Sequence, residues 1–126
     1  MPLGRILITE DERIIAEDLK MTLQEFGYDV IGIVASGEEA IAETKRLKPD
    51  LILMDIMLDG KLNGIETAKD IFIKFKIPVI YITAYADSET LDKAKKTKPF
   101  GFLFKPFEEE ELFSTLEFAI NKIKSN

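Results

Sequence analysis

The chain has 126 residues, 46% of them apolar and 32% charged, and a formal charge of −6. Those figures describe one domain with a single buried core rather than a disordered or membrane-spanning protein, and the acidity argues against a nucleic-acid surface. There is no cysteine and no histidine, which excludes disulfide frameworks, thiolate or imidazole metal sites, cysteine nucleophiles and Ser-His-Asp arrangements; carboxylates, hydroxyls, amines and oxygen-bound hard metal ions remain for any chemistry.

The first residues, MPLGRILITED, run into an acidic pair instead of a secretory apolar stretch, so a cytoplasmic protein without membrane association is expected, with residues 1–126 forming one domain. Arg5 to Thr9 (RILIT) predicts a strand, followed by Glu10 and Asp11. Ile15, Leu19, Leu23 and Phe26 then make one stripe of a helix, with Gly27 placed for a left-handed cap. Tyr28 to Val34 (YDVIGIV) predicts the second strand. Ser36, at capping-box spacing from Glu39, opens a helix to about Leu47 with Ala40, Thr44 and Leu47 inward. The third strand, Asp50 to Met54 (DLILM), ends at Asp55. Gly64 opens the third helix, which turns Ile65, Ala68, Ile71 or Phe72, and Phe75 inward.

Pro78 to Ile82 (PVIYI) predicts a fourth strand ending at Thr83 and Ala84. The helix after it, about Ser88 to Lys96, carries only Leu91 and Ala94 on its apolar stripe and is expected to be the most loosely held. Its lysines, with Lys98 (Lys93, Lys95, Lys96, Lys98), read as a solvated face. Phe102 to Phe104 (FLF) predicts the last strand, leading to Lys105 and Pro106. The acids Glu108 to Glu111 then suit the positive end of a final helix that buries Leu112, Leu116, Ala119, Ile120 and Ile123. The uninterrupted apolarity of the five runs suits strands covered on both faces.

Five strand-helix units with right-handed crossovers imply an α/β protein with an open parallel sheet, and ligands in such folds bind beyond the carboxyl ends of the strands. Four of the five strand ends deliver polar groups to that rim: Glu10 with Asp11, Asp55, Thr83 and Lys105. Alone, each has an ordinary reading: Asp11 as a helix cap, Asp55 as a turn former, Thr83 as a β-branched strand residue, Lys105 as a solvated lysine. Together they describe a site. Carboxylates converging to about 4 Å repel by about 4 kcal/mol per pair at an effective dielectric near 20, so Lys105 and a hard divalent ion are the natural compensation. A carboxylate beside such an ion and an ammonium suits attack on phosphorus.

The segments ILITEDE, DLILMDIML, NGIE, VIYITAYAD and GFLFKPF, in that order across essentially the whole chain, resemble the receiver domains of two-component response regulators. The resemblance implies a doubly wound (βα)5 sandwich with strand order 2-1-3-4-5. It implies a phosphoacceptor signalling switch rather than an enzyme with a separate substrate: Asp55 would take a phosphoryl group from a phosphohistidine on a histidine kinase or phosphotransfer protein in trans. Mg2+, or Mn2+ in its place, would be held by Asp11, Asp55 and the Met57 backbone carbonyl, with Glu10 orienting a metal-bound water. Lys105 would pair with a phosphoryl oxygen and Thr83 would hydrogen-bond to it. Phe102 would be the switch aromatic, turning into the space Thr83 leaves and altering the fourth-helix, fifth-strand and fifth-helix surface; the Lys105-Pro106 bond would be cis.

Three features depart from the family pattern: a loop from Asp55 to Gly64 one residue longer, with Asp59 where proline is common; Phe rather than Tyr at 102; and Glu10 in place of Asp. Met57 and Tyr85 would flank the path of hydrolytic water and prolong the life of the aspartyl phosphate. The donor would dock near Ile14, Pro106 and Phe107. Because the sequence ends at Asn126 after the fifth predicted helix, output is expected through a downstream protein or an effector domain outside this chain, with no direct nucleic-acid contact. Two rival readings are an aspartyl-phosphate phosphatase, which lacks its DxD because Ile56 and Met57 follow Asp55, and a nucleotide- or flavin-binding module. For the latter, GIVASGEE has P-loop glycine spacing without the Lys and Ser/Thr.

Overall fold

Alternate residues of the central strands enter two different cores, which is why their sequences are apolar without interruption. In the computed structural model, which describes residues 3–58, 63–84 and 87–125, strands β1 (Arg5–Thr9), β2 (Asp29–Val34), β3 (Leu51–Asp55), β4 (Val79–Thr83) and β5 (Gly101–Phe104) alternate with helices α1 (Arg13–Glu25), α2 (Gly37–Leu47), α3 (Gly64–Phe75), α4 (Ser88–Lys96) and α5 (Glu109–Lys124). The sheet is parallel throughout, in the order β2-β1-β3-β4-β5, as the family resemblance implies. Ile6, Ile8, Leu51, Leu53, Ile80 and Ile82 pack against α1 and α5, whereas Leu7, Ile52, Met54, Val79 and Tyr81 pack against α2, α3 and α4. Burial on both faces holds for β1, β3 and β4. The outer strands β2 and β5 are only part-covered, and Phe104 is 48% exposed.

The helix ends follow local chemistry. Ser36 accepts from the Glu39 amide at 3.2 Å, and Asp87 accepts from the Thr90 amide at 2.7 Å. Asn63 and Glu66 form a reciprocal capping box at the start of α3, so the helix is opened by a cap one residue before the Gly64 expected to begin it. Gly27 adopts φ +99°, as expected for a cap residue after α1. The Arg5 guanidinium donates to the Leu47 and Lys48 carbonyls, both at 2.9 Å, closing the C-terminal end of α2. In α3 the inward choice falls on Ile71, while Phe72 is 39% exposed; Thr67, not anticipated as inward, is buried with its hydroxyl donating to the Asn63 carbonyl. Among the described residues, no helix is long and apolar enough to cross a membrane.

Candidate functional site

Strand register brings the four rim positions together. Thr9 pairs with Met54, so Glu10 and Asp11 leave β1 beside Asp55. Asp55 pairs with Ile82, one residue before Thr83, and Thr83 pairs with Phe104, one residue before Lys105. The result is a cluster in which carboxylate oxygens of Glu10, Asp11 and Asp55 all lie within 4.8 Å of one another. Glu10 and Asp55 are buried, Asp11 is partly exposed, and Thr83 is fully buried at the end of β4.

Each buried carboxylate has donors. Asp55 Oδ1 accepts from the Met57 amide at 3.0 Å, and Asp55 Oδ2 lies 3.3 Å from Lys105 Nζ. The Lys105 ammonium makes a shorter bond to Glu10 Oε1, and Glu10 Oε2 accepts from the Glu12 amide at 3.3 Å. The extra methylene of Glu10, relative to Asp, is what lets its carboxylate reach across to the lysine. Burial pushes the Lys105 ammonium down, but the Glu10 hydrogen bond and the charges of Asp55 and Glu10 outweigh it, so its pKa lies above the ordinary 10.5. One ammonium thus faces three carboxylates, leaving an excess of negative charge on hard oxygen donors. That donor set fits a small divalent cation and would not suit a soft metal.

Gly64 is part of this site in a way its place at a helix start did not reveal. A Cβ there would stand 2.0 Å from the Asp55 carbonyl oxygen, and the Gly64 amide donates to the Ile56 carbonyl at 2.9 Å. The start of α3 therefore lies directly on the backbone of Asp55 and Ile56. The Asn-Gly pair before the apolar stripe was the signal available in the sequence.

The remaining expected residues fall around this centre. Met57 is 62% exposed at the mouth of the cluster, and Phe102 is half-buried against Tyr81, ring centroids 5.4 Å apart. The Lys105-Pro106 bond is cis. Tyr85 and the loop segment containing Asp59 lie outside the described residues. A groove of about 530 Å³ runs between α1 and the start of α5, floored by Ile15, Leu19, Phe107 and Leu112 and edged by Glu12 and Asp18. Ile14 stands 86% exposed and is not among the residues that line it. The P-loop-like glycines serve other ends: Gly32 is inside β2 and Gly37 is the first residue of α2, so no long loop is left between them to wrap a phosphate chain.

Comparison with known proteins places these observations among relatives. The family model described as the response regulator receiver domain matches residues 6–117. The transcriptional regulatory protein PdtaR of Mycobacterium tuberculosis is 32% identical over 95% of this chain and 58% of its own length. The phyllosphere-induced regulator PhyR of Methylorubrum extorquens is 36% identical over 91% of this chain and 43% of its own. The chain thus spans about half the length of these curated relatives. Among solved structures, the signal receiver domain of a modulated diguanylate cyclase from Desulfovibrio desulfuricans superposes with a TM-score of 0.90 at 43% identity, covering 96% of each chain. The N-terminal domain of a response regulator/sensory box/GGDEF protein from Carboxydothermus hydrogenoformans superposes at 0.88 and 32% identity, covering 97% of this chain and 98% of that one.

Proposed function

The chain belongs to the response regulator receiver domain family, two-component signalling switches that are phosphorylated on an aspartate, and on that premise we propose that Asp55 is the acceptor. The observation that carries the assignment is the convergence of Glu10, Asp11 and Asp55 within 4.8 Å, with Lys105 bonded to two of them. Asp55 ends a strand buried on both faces and is tied by the Met57 amide, so its carboxylate meets an incoming phosphorus with little freedom left to lose. A phosphorus–nitrogen bond of the donor breaks as an Asp55 oxygen–phosphorus bond forms, and the leaving imidazole takes its proton from solvent. Lys105 stabilises charge on the phosphoryl oxygens, and Thr83, one register step beyond Asp55, would donate its hydroxyl to the product. Asp11, Asp55 and the Met57 carbonyl would hold Mg2+, or Mn2+, with Glu10 orienting a metal-bound water; when bound, the ion neutralises negative charge on the transferring group.

The donor histidine lies outside this sequence, which contains none. The groove beside Pro106 and Phe107 suits a partner helix with an apolar face and basic flanks, because Glu12, Asp18 and Glu109 rim an apolar floor. Output runs through a downstream protein or an effector domain outside this sequence. Incubation with acetyl phosphate and Mg2+ should add one phosphate, read by intact mass, and the addition should disappear in Asp55→Asn or with a chelator. A phosphorylated Asp55→Asn protein would reject the assignment.

A further inference from the structure

Tyr81 lies two residues before Thr83 on the same face of β4 and is fully buried in the core that also contains Ala94, the buried residue of α4. Its ring is 5.4 Å from that of Phe102, its register partner on β5, and Phe102 stacks in turn on Phe104 at 6.2 Å. Thr83 and Phe104 are the next register pair on the same face, so these four side chains form one block on the α4 side of the sheet. An aliphatic residue at position 81 could fill that volume. Only a side chain with a distal polar group also reaches α4: the Tyr81 hydroxyl is 2.7 Å from Thr97 Oγ1, at the C-terminal cap of the helix.

The direction of that bond follows from proton counting. Thr97 Oγ1 donates its single proton to the Ala94 carbonyl at 2.6 Å, so in the bridge it accepts and Tyr81 donates. The phenol keeps its proton, since burial raises its pKa above 10.0. Two hydrogen bonds in series thus connect β4 to a carbonyl at the end of α4. The other end of α4 has a different hold: Asp87 and Thr90 make an exposed capping bond, and Leu91 is only half-buried.

We propose that Tyr81 is a positioning residue of the switch, pinning the C-terminal end of α4 to β4 so that phosphorylation swings the helix about that end while the Tyr81 ring limits where Phe102 can turn. The proposal rests on the reading of Asp55 as acceptor and Thr83 as the residue that follows the phosphoryl group. It accounts for both features of Tyr81: the ring borders the space Thr83 would vacate, and the hydroxyl holds the helix that must respond.

Amide hydrogen exchange along α4, measured by NMR on the full chain with Mg2+ and with or without beryllofluoride as a phosphoryl mimic, tests it. In the wild type, beryllofluoride should change exchange at Thr90, Leu91 and Asp92 while leaving the Thr97 and Lys98 amides, which donate to Ala94 and Lys95 carbonyls, within about twofold. Tyr81→Phe keeps the ring and removes the bond. It should lower protection at Thr97 and Lys98 by roughly two- to tenfold, the worth of one hydrogen bond, and let beryllofluoride move both ends of the helix. Thr97→Val should reproduce that pattern, and the double variant should add nothing to it. Equal response at both ends of wild-type α4, or an unaltered pattern in Tyr81→Phe, would overturn the proposal. No response anywhere, with beryllofluoride failing to bind, would instead remove the reading of Asp55 on which it stands.

Discussion

A methyl group on Gly64 would stand 2.0 Å from the Asp55 carbonyl oxygen and 2.8 Å from Ile56 Cα, and backbone cannot yield as a side chain can. Gly64→Ala should therefore push the start of α3 away from β3, costing about 1–3 kcal/mol by urea denaturation and slowing acetyl phosphate-driven modification. Gly32→Ala is the control: its nearest neighbour is a Leu7 methyl at 3.2 Å, the far end of a flexible side chain, and it should leave phosphorylation unchanged. Equal losses in both variants would deny Gly64 its special position. Met57 bears on the lifetime of the phosphoryl group. Its apolar side chain, 62% exposed two residues beyond Asp55, offers water no hydrogen bond, so Met57→Asn should shorten the life of a phosphoryl group on the proposed acceptor in a decay measurement. An equal or slower decay would show that this side chain does not govern water.

Element boundaries are local chemistry, and the start of α3 is an example. Asn63 accepts from the Glu66 amide at 2.9 Å while the Glu66 carboxylate accepts from the Asn63 amide at 3.2 Å; Asn63→Ala should cost about 0.5–2 kcal/mol of stability, read as a lower denaturation midpoint with an unchanged slope. Because caps and stripes use neighbours in sequence, the β1 and α4 spans are legible in the residues alone, as are the inward faces of α1 and α5. Ile71 and Phe72 could not be separated, since a 3.6-residue period places both near one edge of the stripe. The exposure of Phe104 depends on β5 lying at the sheet edge, which strand order decides and strand composition does not. At the candidate site, the residues could be named because each ends or directly follows a strand. That Lys105 bonds more closely to Glu10 than to Asp55, and that Tyr81 bonds to Thr97, required register and side-chain length, which sequence spacing does not convey.

At the scale of the whole molecule, every helix returns antiparallel to the strands, so helix N-termini gather at the rim where Asp55 lies. Acidic first turns, Glu38 and Glu39, Glu66, Glu89 and Glu109 to Glu111, complement those dipoles and surround the site with further negative charge, while Lys45, Arg46, Lys74, Lys95, Lys122 and Lys124 occupy the opposite end. The rim is therefore under electrostatic strain in the absence of a cation. Asp55→Asn removes one of three converging charges and should raise the melting temperature of the metal-free protein. The gain is expected to be on the order of 1 kcal/mol, because Lys105 already offsets much of a repulsion of about 4 kcal/mol per pair. Magnesium should invert the order: at a hundredfold excess over its dissociation constant it stabilises the wild type by about 2.7 kcal/mol, and it should do far less for the variant, whose donor set is one charge short. Added sodium chloride should weaken the magnesium effect by screening the rim. Melting curves of both proteins with and without magnesium decide the matter: parallel shifts in the two would mean that the ion binds elsewhere and that the three carboxylates are not its site.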